Sequence, residues 1–231
     1  MSEATFYDAV CVGAHPDDVE IGMGATIAGM TRAGKKVAIV DLTNGEPTPY
    51  GSPETRAKES ASAAGILGAS RTTLTQPNRF LFDTVEARFE LAEVLREFRP
   101  RMLFMPYPSD AHPDHVAAAQ IALAARFYGK LTKTEMAHQP FYVPRVFRYM
   151  AVHQRIVAEP SFVVDVSLDL QTKLTALAAY ESQFLSNEKN AGIIPMMEAT
   201  AHMWGSLANV EAGEPFFALE PVALSSPSDI L

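Results

Sequence analysis

The strongest constraint on this chain is an alternation of short apolar runs with longer helical ones across its first 127 residues. DAVCVGA (8–14) reads as a strand that stops at His15. Ile21, Ala25, Ala28 and Met30 then recur at helical spacing, and Gly34 ends that pattern. KKVAIVDLT (35–43) is a second strand, and NGEPTPYGSP (44–53) is a loop. Ser52 or Thr55 can cap the helix ETRAKESASAAGIL, which Gly68 closes. RTTLTQ (71–76) is a weaker strand, and VEARFELAEVLREF (85–98) is a helix stopped by Pro100. RMLFMPY (101–107) is a fourth strand with a continuous apolar run, which suits a parallel strand covered on both faces. HVAAAQIALAARF (115–127) is the helix that follows it.

Such a rhythm predicts an α/β fold, Rossmann-like, with a mainly parallel sheet flanked by helices. Beyond Gly129 the pattern loosens. RVFRYMAV (145–152) and SFVVDVS (161–167) read as strands, and 170–184 and 196–207 as helices. They predict a small C-terminal α/β extension within a single domain spanning 1–231, because no linker or repeat divides the chain. With 231 residues and 48% hydrophobic content, the core needs no staples. The formal charge of −8 opposes nonspecific attraction to nucleic acid or anionic membrane. Cys11 is the one cysteine, which excludes an intrachain disulfide and a cysteine-based metal cluster. MSEATFYDAV lacks a basic-then-apolar signal pattern, and the apolar stretch 116–127 is far shorter than a bilayer span. A cytoplasmic protein is expected.

Two similar turns carry the chemistry. Ala14-His15-Pro16-Asp17-Asp18 follows the first strand, and Ala111-His112-Pro113-Asp114-His115 follows the fourth. Ligands of open α/β sheets collect outside the carboxyl ends of the strands, so the two turns can meet although His15 and His112 lie 97 residues apart. His15 and Asp18 are three apart, as are His112 and His115, so each pair can point to one spot. A catalytic zinc site needs about three N/O ligands and an open position. His15, Asp17, Asp18, His112, Asp114 and His115 exceed that number, leaving groups for acid and base work. Spacing alone does not say which histidine is ligand and which is acid. Each turn has an ordinary reading too: Asp often caps a helix and Pro often starts one. Two such turns at the same end of one sheet favour a metal site.

The segment AHPDDVEIGMGATIAGMTRAGKKVAIVDLTNGE resembles the opening of the LmbE-like, or PIG-L, family of zinc-dependent N-acetylglucosaminyl deacetylases, and HPDH (112–115) matches its second motif. The similarity continues through TRAKESASAAGILG, Pro77-Asn78-Arg79 and VDVSLDLQTKLTALAAYESQF, covering most of the chain. The resemblance implies that His15, Asp18 and His115 hold Zn²⁺, with Fe²⁺ or Co²⁺ also compatible with the donors. It implies Asp17 as general base, a protonated His112 stabilising the oxyanion and assisting amine departure, and Asp114 orienting or charge-stabilising His112. Arg56, in an Arg-x-x-Glu pair with Glu59, is implied to contact substrate; by itself that pair would read as a surface ion pair. A homo-oligomer, trimer or hexamer, is also implied.

AYESQF looks most like the bacillithiol-pathway branch, which deacetylates N-acetylglucosaminyl malate. PTPYGSP, Ala111 and Asn78 depart from family preferences for a Gly-Thr pair, Arg and Asp, at positions expected to read the substrate. Another amino sugar or a thiol conjugate is the rival substrate class. A noncatalytic nucleotide binder is the rival function, but Gly22 and Gly24 complete no G-x-G-x-x-G pattern and the turn's carboxylates would repel pyrophosphate. A metal-binding scaffold without catalysis would need neither Asp17 nor His112. Cys11, His138, His153, His202 and Trp204 read as structural, and Met196, Met197 and Met203 as core or subunit contact.

Overall fold

The computed structural model describes residues 6–151 and 158–226. Its first half follows the expected winding. Strand β1 (Ala9–Gly13) leads to α1 (Asp18–Arg32), β2 (Val37–Asp41) to α2 (Pro53–Leu67), β3 (Ser70–Thr73) to α3 (Val85–Phe98), and β4 (Met102–Pro106) to α4 (Pro113–Tyr128). Next come β5 (Arg145–Tyr149), β6 (Phe162–Asp165), α5 (Leu170–Ala178), α6 (Ile193–Leu207) and β7 (Gly213–Ala218). The strands form one sheet in the order β3-β2-β1-β4-β5-β7-β6. The first five are parallel, whereas β7 runs antiparallel to both β5 and β6.

Alternation along the strands divides the core in two. Ala9 and Cys11 face a cluster built with Ile27 of α1, Leu67 of α2 and Leu177 of α5. Val10 and Val12 face another built with Leu91 and Leu95 of α3 and Ile121 of α4. Helices on both faces explain the continuous apolar runs in the central strands. Burial pushes the Cys11 thiol far up its titration range, leaving a small protonated hydrophobe.

The C-terminal part differs from its sequence reading in three ways. The expected extension adds strands to the same sheet. The expected helix over 170–184 ends at Ala178, and Glu181–Leu185 forms one wide turn closed by Ser186 N–H donating to Glu181 O. β7 was not legible, because Glu214 and Pro215 give GEPFFA the look of a loop. Pro215 is tolerated where β7 meets the edge strand β6. Of the histidines read as structural, His138 lends its carbonyl to Arg96 and His202 Nδ1 lies 2.8 Å from Glu211 O; His153 lies outside the described residues. Met197 and Trp204 are buried, whereas Met196 and Met203 are exposed.

β7 has a specific task. Helix α1 is broken at Met23 (φ −152°, ψ 23°), which frees amides in its middle. Glu214 of β7 accepts from Thr26 N–H (2.7 Å), Thr26 hydroxyl (2.6 Å) and Ala25 N–H (3.3 Å). It thereby caps the second half of the helix from across the fold. Lys173 of α5 balances it at 2.6 Å, with both groups buried. Gly22 lets Tyr149 lie against the break, since a Cβ there would sit 2.1 Å from the ring.

Removing one partner of a buried pair strands the other charge. Lys173→Met should therefore cost about 3 kcal/mol in urea unfolding. Lys173→Met with Glu214→Gln should recover part of that loss, because the amide still accepts from Thr26 without carrying a charge.

Candidate active site

The two His-Pro-Asp turns meet. β1 and β4 are neighbours at the place where the strand order reverses, so the turns leaving them open into one crevice. The His15 ring centroid lies 4.9 Å from that of His112 and 5.4 Å from that of His115. His112 and His115 stack at 4.6 Å.

The first turn is held in an unusual backbone state. Asp17 has φ 100°, a left-handed conformation that costs about 1–3 kcal/mol for a residue with a side chain. Its carboxylate makes no cap to α1, so the ordinary helix-cap reading fails there. Arg56 of α2 secures the turn, donating through Nη2 to Pro16 O at 2.6 Å and to Asp17 Oδ2 at 3.2 Å. The Arg56 guanidinium also lies over the Tyr180 ring at 5.3 Å. Glu59 does not pair with Arg56. It accepts from Ser182 N–H (2.7 Å) and Ser182 hydroxyl (2.8 Å), fixing the wide turn after α5 against α2. Beneath this layer Arg71 of β3 grips Asp41 with two bonds and reaches Glu20 of α1, whose Oε1 also accepts from Tyr180 hydroxyl at 2.8 Å.

Asp18 is the centre of the cluster. Its Oδ2 accepts from His15 N–H at 2.8 Å and lies 3.3 Å from His15 Nδ1, while its Oδ1 lies 3.1 Å from His115 Nε2. Two further carboxylates sit behind the imidazoles. Asp114 Oδ2 lies 3.1 Å from His15 Nε2, and Asp110 Oδ2 lies 3.3 Å from His115 Nδ1. Burial opposes protonation of both rings, but Asp18 and the carboxylates behind them prevail. They raise His15 to about 9 and His115 to about 10. Burial also opposes ionisation of Asp18, yet the two imidazoles hold it well below the usual carboxylate range. Asp17 behaves otherwise: burial pushes it up to about 6 against the pull of Arg56.

These atoms suit a metal ion. Each flanking carboxylate turns one ring nitrogen outward and leaves the other facing Asp18, the usual way a ligand imidazole is oriented. Ligands about 2.0–2.1 Å from a tetrahedral ion lie about 3.3 Å from one another, close to the spacings of Asp18 to His15 and His115. His15, Asp18 and His115 have donor atoms mutually within 4.8 Å, and so do His15, His112 and Asp114. The first set leaves Asp17 and His112 beside it, both lining a cleft of about 280 Å³.

The chain matches the model of the PIG-L family, described as GlcNAc-PI de-N-acetylase, over residues 10–126. It belongs to that family. A diacetylchitobiose deacetylase of Thermococcus kodakarensis is 30% identical over 76% of this chain and 69% of its own. A 1D-myo-inositol 2-acetamido-2-deoxy-α-D-glucopyranoside deacetylase of Catenulispora acidiphila is 26% identical over 88% and 90%. The crystal structure of a conserved protein from Thermus thermophilus, TT1542, superposes with a TM-score of 0.88, at 38% identity, over 96% of this chain and 98% of that one. As a PIG-L member the chain is a deacetylase, a hydrolase of amide bonds.

Within this PIG-L site the Asp114 carboxylate is placed differently from the sequence reading. The Asp114 carboxylate lies against His15 and also accepts from Arg79 N–H at 2.8 Å; toward His112 it is the Asp114 backbone N–H that donates, to Nδ1 at 3.2 Å. A backbone N–H can only donate, so this contact suits a His112 whose Nδ1 accepts. Burial and the neighbouring imidazoles lower the His112 pKa in the same direction. Arg56 lines the cleft wall, 3% exposed, with its Nη2 engaged by the turn and its Nε and Nη1 without a hydrogen-bond partner among the described residues.

Sequence reasoning missed Asp110, Arg71, Gln183 and Asn190. Asp110 stands two residues before His112 and had a signal, a third acid beside the HPDH motif. Arg71 lies in a weak strand and had none. Gln183 and Asn190 line the cleft; the first lies in the segment read as continuous helix and the second just beyond it.

Loss of a carboxylate behind a ligand imidazole typically weakens metal binding about 10–100-fold. Asp110→Asn and Asp114→Asn should each show a weakening of that order in a Zn²⁺ competition titration against a chromophoric chelator.

Proposed function

We propose that this chain removes the N-acetyl group from an N-acetylglucosamine conjugate, with Zn²⁺ held by His15, Asp18 and His115. The observation that carries this reading is the pairing of that donor set with a carboxylate outside it, Asp17, and an imidazole, His112, across one small cleft. Fe²⁺ or Co²⁺ suits the same donors. When bound, the ion supplies Lewis acidity toward the amide carbonyl and the attacking water.

The chain's own groups perform the remaining work. Asp17, fixed by Arg56, accepts a proton as water adds to the acetyl carbon. His112 donates its Nε2–H to the carbonyl oxygen as that atom gains negative charge. Asp17 then passes its proton to the nitrogen as the C–N bond breaks, releasing acetate and a free amine. Asp114 keeps His15 oriented and, through its backbone N–H, fixes the tautomer of His112.

The cleft supports an amino-sugar substrate. About 280 Å³ is at the small end for ligand sites, so one sugar with its acetyl group enters while the aglycone stays outside. Thr48, Asn78, Gln183 and Asn190 line it with amides and a hydroxyl suited to sugar hydroxyls. The two relatives act, by name, on diacetylchitobiose and on an inositol-linked amino sugar. N-acetylglucosaminyl malate, the bacillithiol-pathway substrate suggested by AYESQF, is a third aglycone for the same cleft. A cytoplasmic trimer or hexamer belongs to this proposal, with the exposed Met196 and Met203 of α6 as the contact face. No helix of the described residues is long and apolar enough to cross a membrane.

Acetate release should be measured on Zn²⁺-loaded protein over diacetylchitobiose, the inositol conjugate and the malate conjugate. Asp17→Asn should keep its metal and lose about 10²–10⁴ in kcat. His112→Ala should keep its metal and lose about 10²–10³, whereas His115→Ala should lose the metal. Full turnover by Asp17→Asn would remove the base, and equal metal retention by His112→Ala and His115→Ala would remove the ligand assignment.

A further inference from the structure

A second cavity lies at the opposite end of the sheet from the catalytic cleft. Its mouth is formed by residues that precede or begin strands: Asp8 before β1, Lys35 before β2, Arg101 before β4 and Arg145 at the start of β5. Its volume is about 790 Å³, within the range of small-molecule sites. One wall is the second half of α1, from Thr26 to Arg32, and the floor is the sheet surface of β4, β5 and β6.

The floor is aromatic. Phe104 and Phe147 lie 5.5 Å apart, and Phe162 meets Phe147 edge-on at 5.3 Å. Phe162 remains 37% exposed, an apolar ring at the open edge of a groove. Met102 and Val164 complete the apolar surface.

The rim is unbalanced in charge. Of its three acids only Asp169 is ion-paired, while Asp8 and Asp165 accept backbone amides and keep their charge. Asp8 accepts from Lys36 N–H (3.0 Å), Asp165 from Ser167 N–H (3.0 Å), and Asp169 from both arms of Arg32 (2.9 and 2.8 Å). Among the described residues, Lys35, Arg101 and Arg145 form no ion pair. A chain of net charge −8 thus presents, around an aromatic floor, three unpaired cations against two unpaired acids, Asp8 and Asp165. The groove wall ends at the C-terminus of α1, the negative end of that helix dipole, which disfavours a dianion on that side. A single anionic head would instead sit toward Arg101 and Arg145.

We propose that this groove binds a small amphipathic anion, with an apolar body on Phe104, Phe147 and Phe162 and a carboxylate-type head on Arg101 and Arg145. The inference does not rest on the deacetylase reading, because none of these residues belongs to the catalytic cleft.

Dodecanoate, below its micellar concentration, is the probe, with dodecanol as its uncharged counterpart. Calorimetric titration of the full chain should show one dodecanoate per chain with a Kd on the order of 10 μM, and dodecanol at least about tenfold weaker. Arg101→Glu with Arg145→Glu should weaken dodecanoate at least about tenfold and leave dodecanol unchanged. Val164→Trp should fill the groove and abolish both, while acetate release stays at the wild-type rate. Absence of saturable binding, equal binding of the alcohol, or unchanged binding to Val164→Trp would overturn the proposal. So would light scattering showing an oligomer that Val164→Trp splits, since the groove would then be an interface between copies of this chain.

Discussion

The site is organised by one buried charge, the carboxylate of Asp18. A lone ionised group at 4% exposure would cost several kcal/mol, so the fold must bring positive partners to it. It does so with His15 from its own turn and His115 from a turn on the neighbouring strand. Those two rings are in turn backed by Asp114 and Asp110, which adds negative charge around the same centre. With Asp17 included, four carboxylates crowd a region whose cleft is lined by two permanent cations among the described residues, Arg56 and Arg79. The imbalance is relieved by protons on His15 and His115, or by a divalent ion that replaces them. The same balance of charges explains why Asp17 titrates high and Asp18 low. Asp17 has burial and one guanidinium, whereas Asp18 is held between two imidazoles.

Holding that charge in place dictates much of the surrounding structure. Helix α1 must begin with Asp18 pointing inward, and the preceding residue absorbs the turn by taking a positive φ. Arg56 restrains that turn from outside, and the Arg71–Asp41–Glu20 network anchors the first turn of α1 from below. The break at Met23 then lets the rest of α1 pack independently on the sheet, with Glu214 satisfying the amides the break exposes. Stiffness is concentrated in the first turn of the helix, where sub-ångström placement of Asp17 and Asp18 governs the chemistry.

The features legible in the sequence are those set by local rules. Strands β1 and β4 are apolar throughout and β2 is so up to Asp41, because both faces are covered, and the starts of α2 and α4 carry recognisable residues, Ser52 and Pro113. The joining of the two turns followed from topology, since adjacent parallel strands deliver their following loops to one end. What stayed hidden depends on contacts across long sequence distances. The partner of Asp114 is His15, 99 residues away, and nothing local distinguishes that pairing from one with His112. β7 is recognisable as a strand only once β5 and β6 are placed on either side of it. The wide turn at Glu181–Leu185 interrupts a pattern that is otherwise helical, and it is there that Gln183 enters the cleft.

The direction of the two helices that frame the site has a chemical consequence. Both α1 and α4 start at the crevice, so the positive ends of two helix dipoles converge on it. That field favours the ionised Asp18 and Asp114 in the first turn of each helix. It also favours negative charge developing on a carbonyl oxygen in the cleft, and it opposes a proton added to His112. The hydrogen bond from Asp114 N–H to His112 Nδ1 acts in the same sense, because it occupies the nitrogen that a second proton would need. A neutral donor has an advantage here over a charged one. An imidazolium beside a divalent ion would have to be maintained against repulsion, which a neutral Nε2–H avoids.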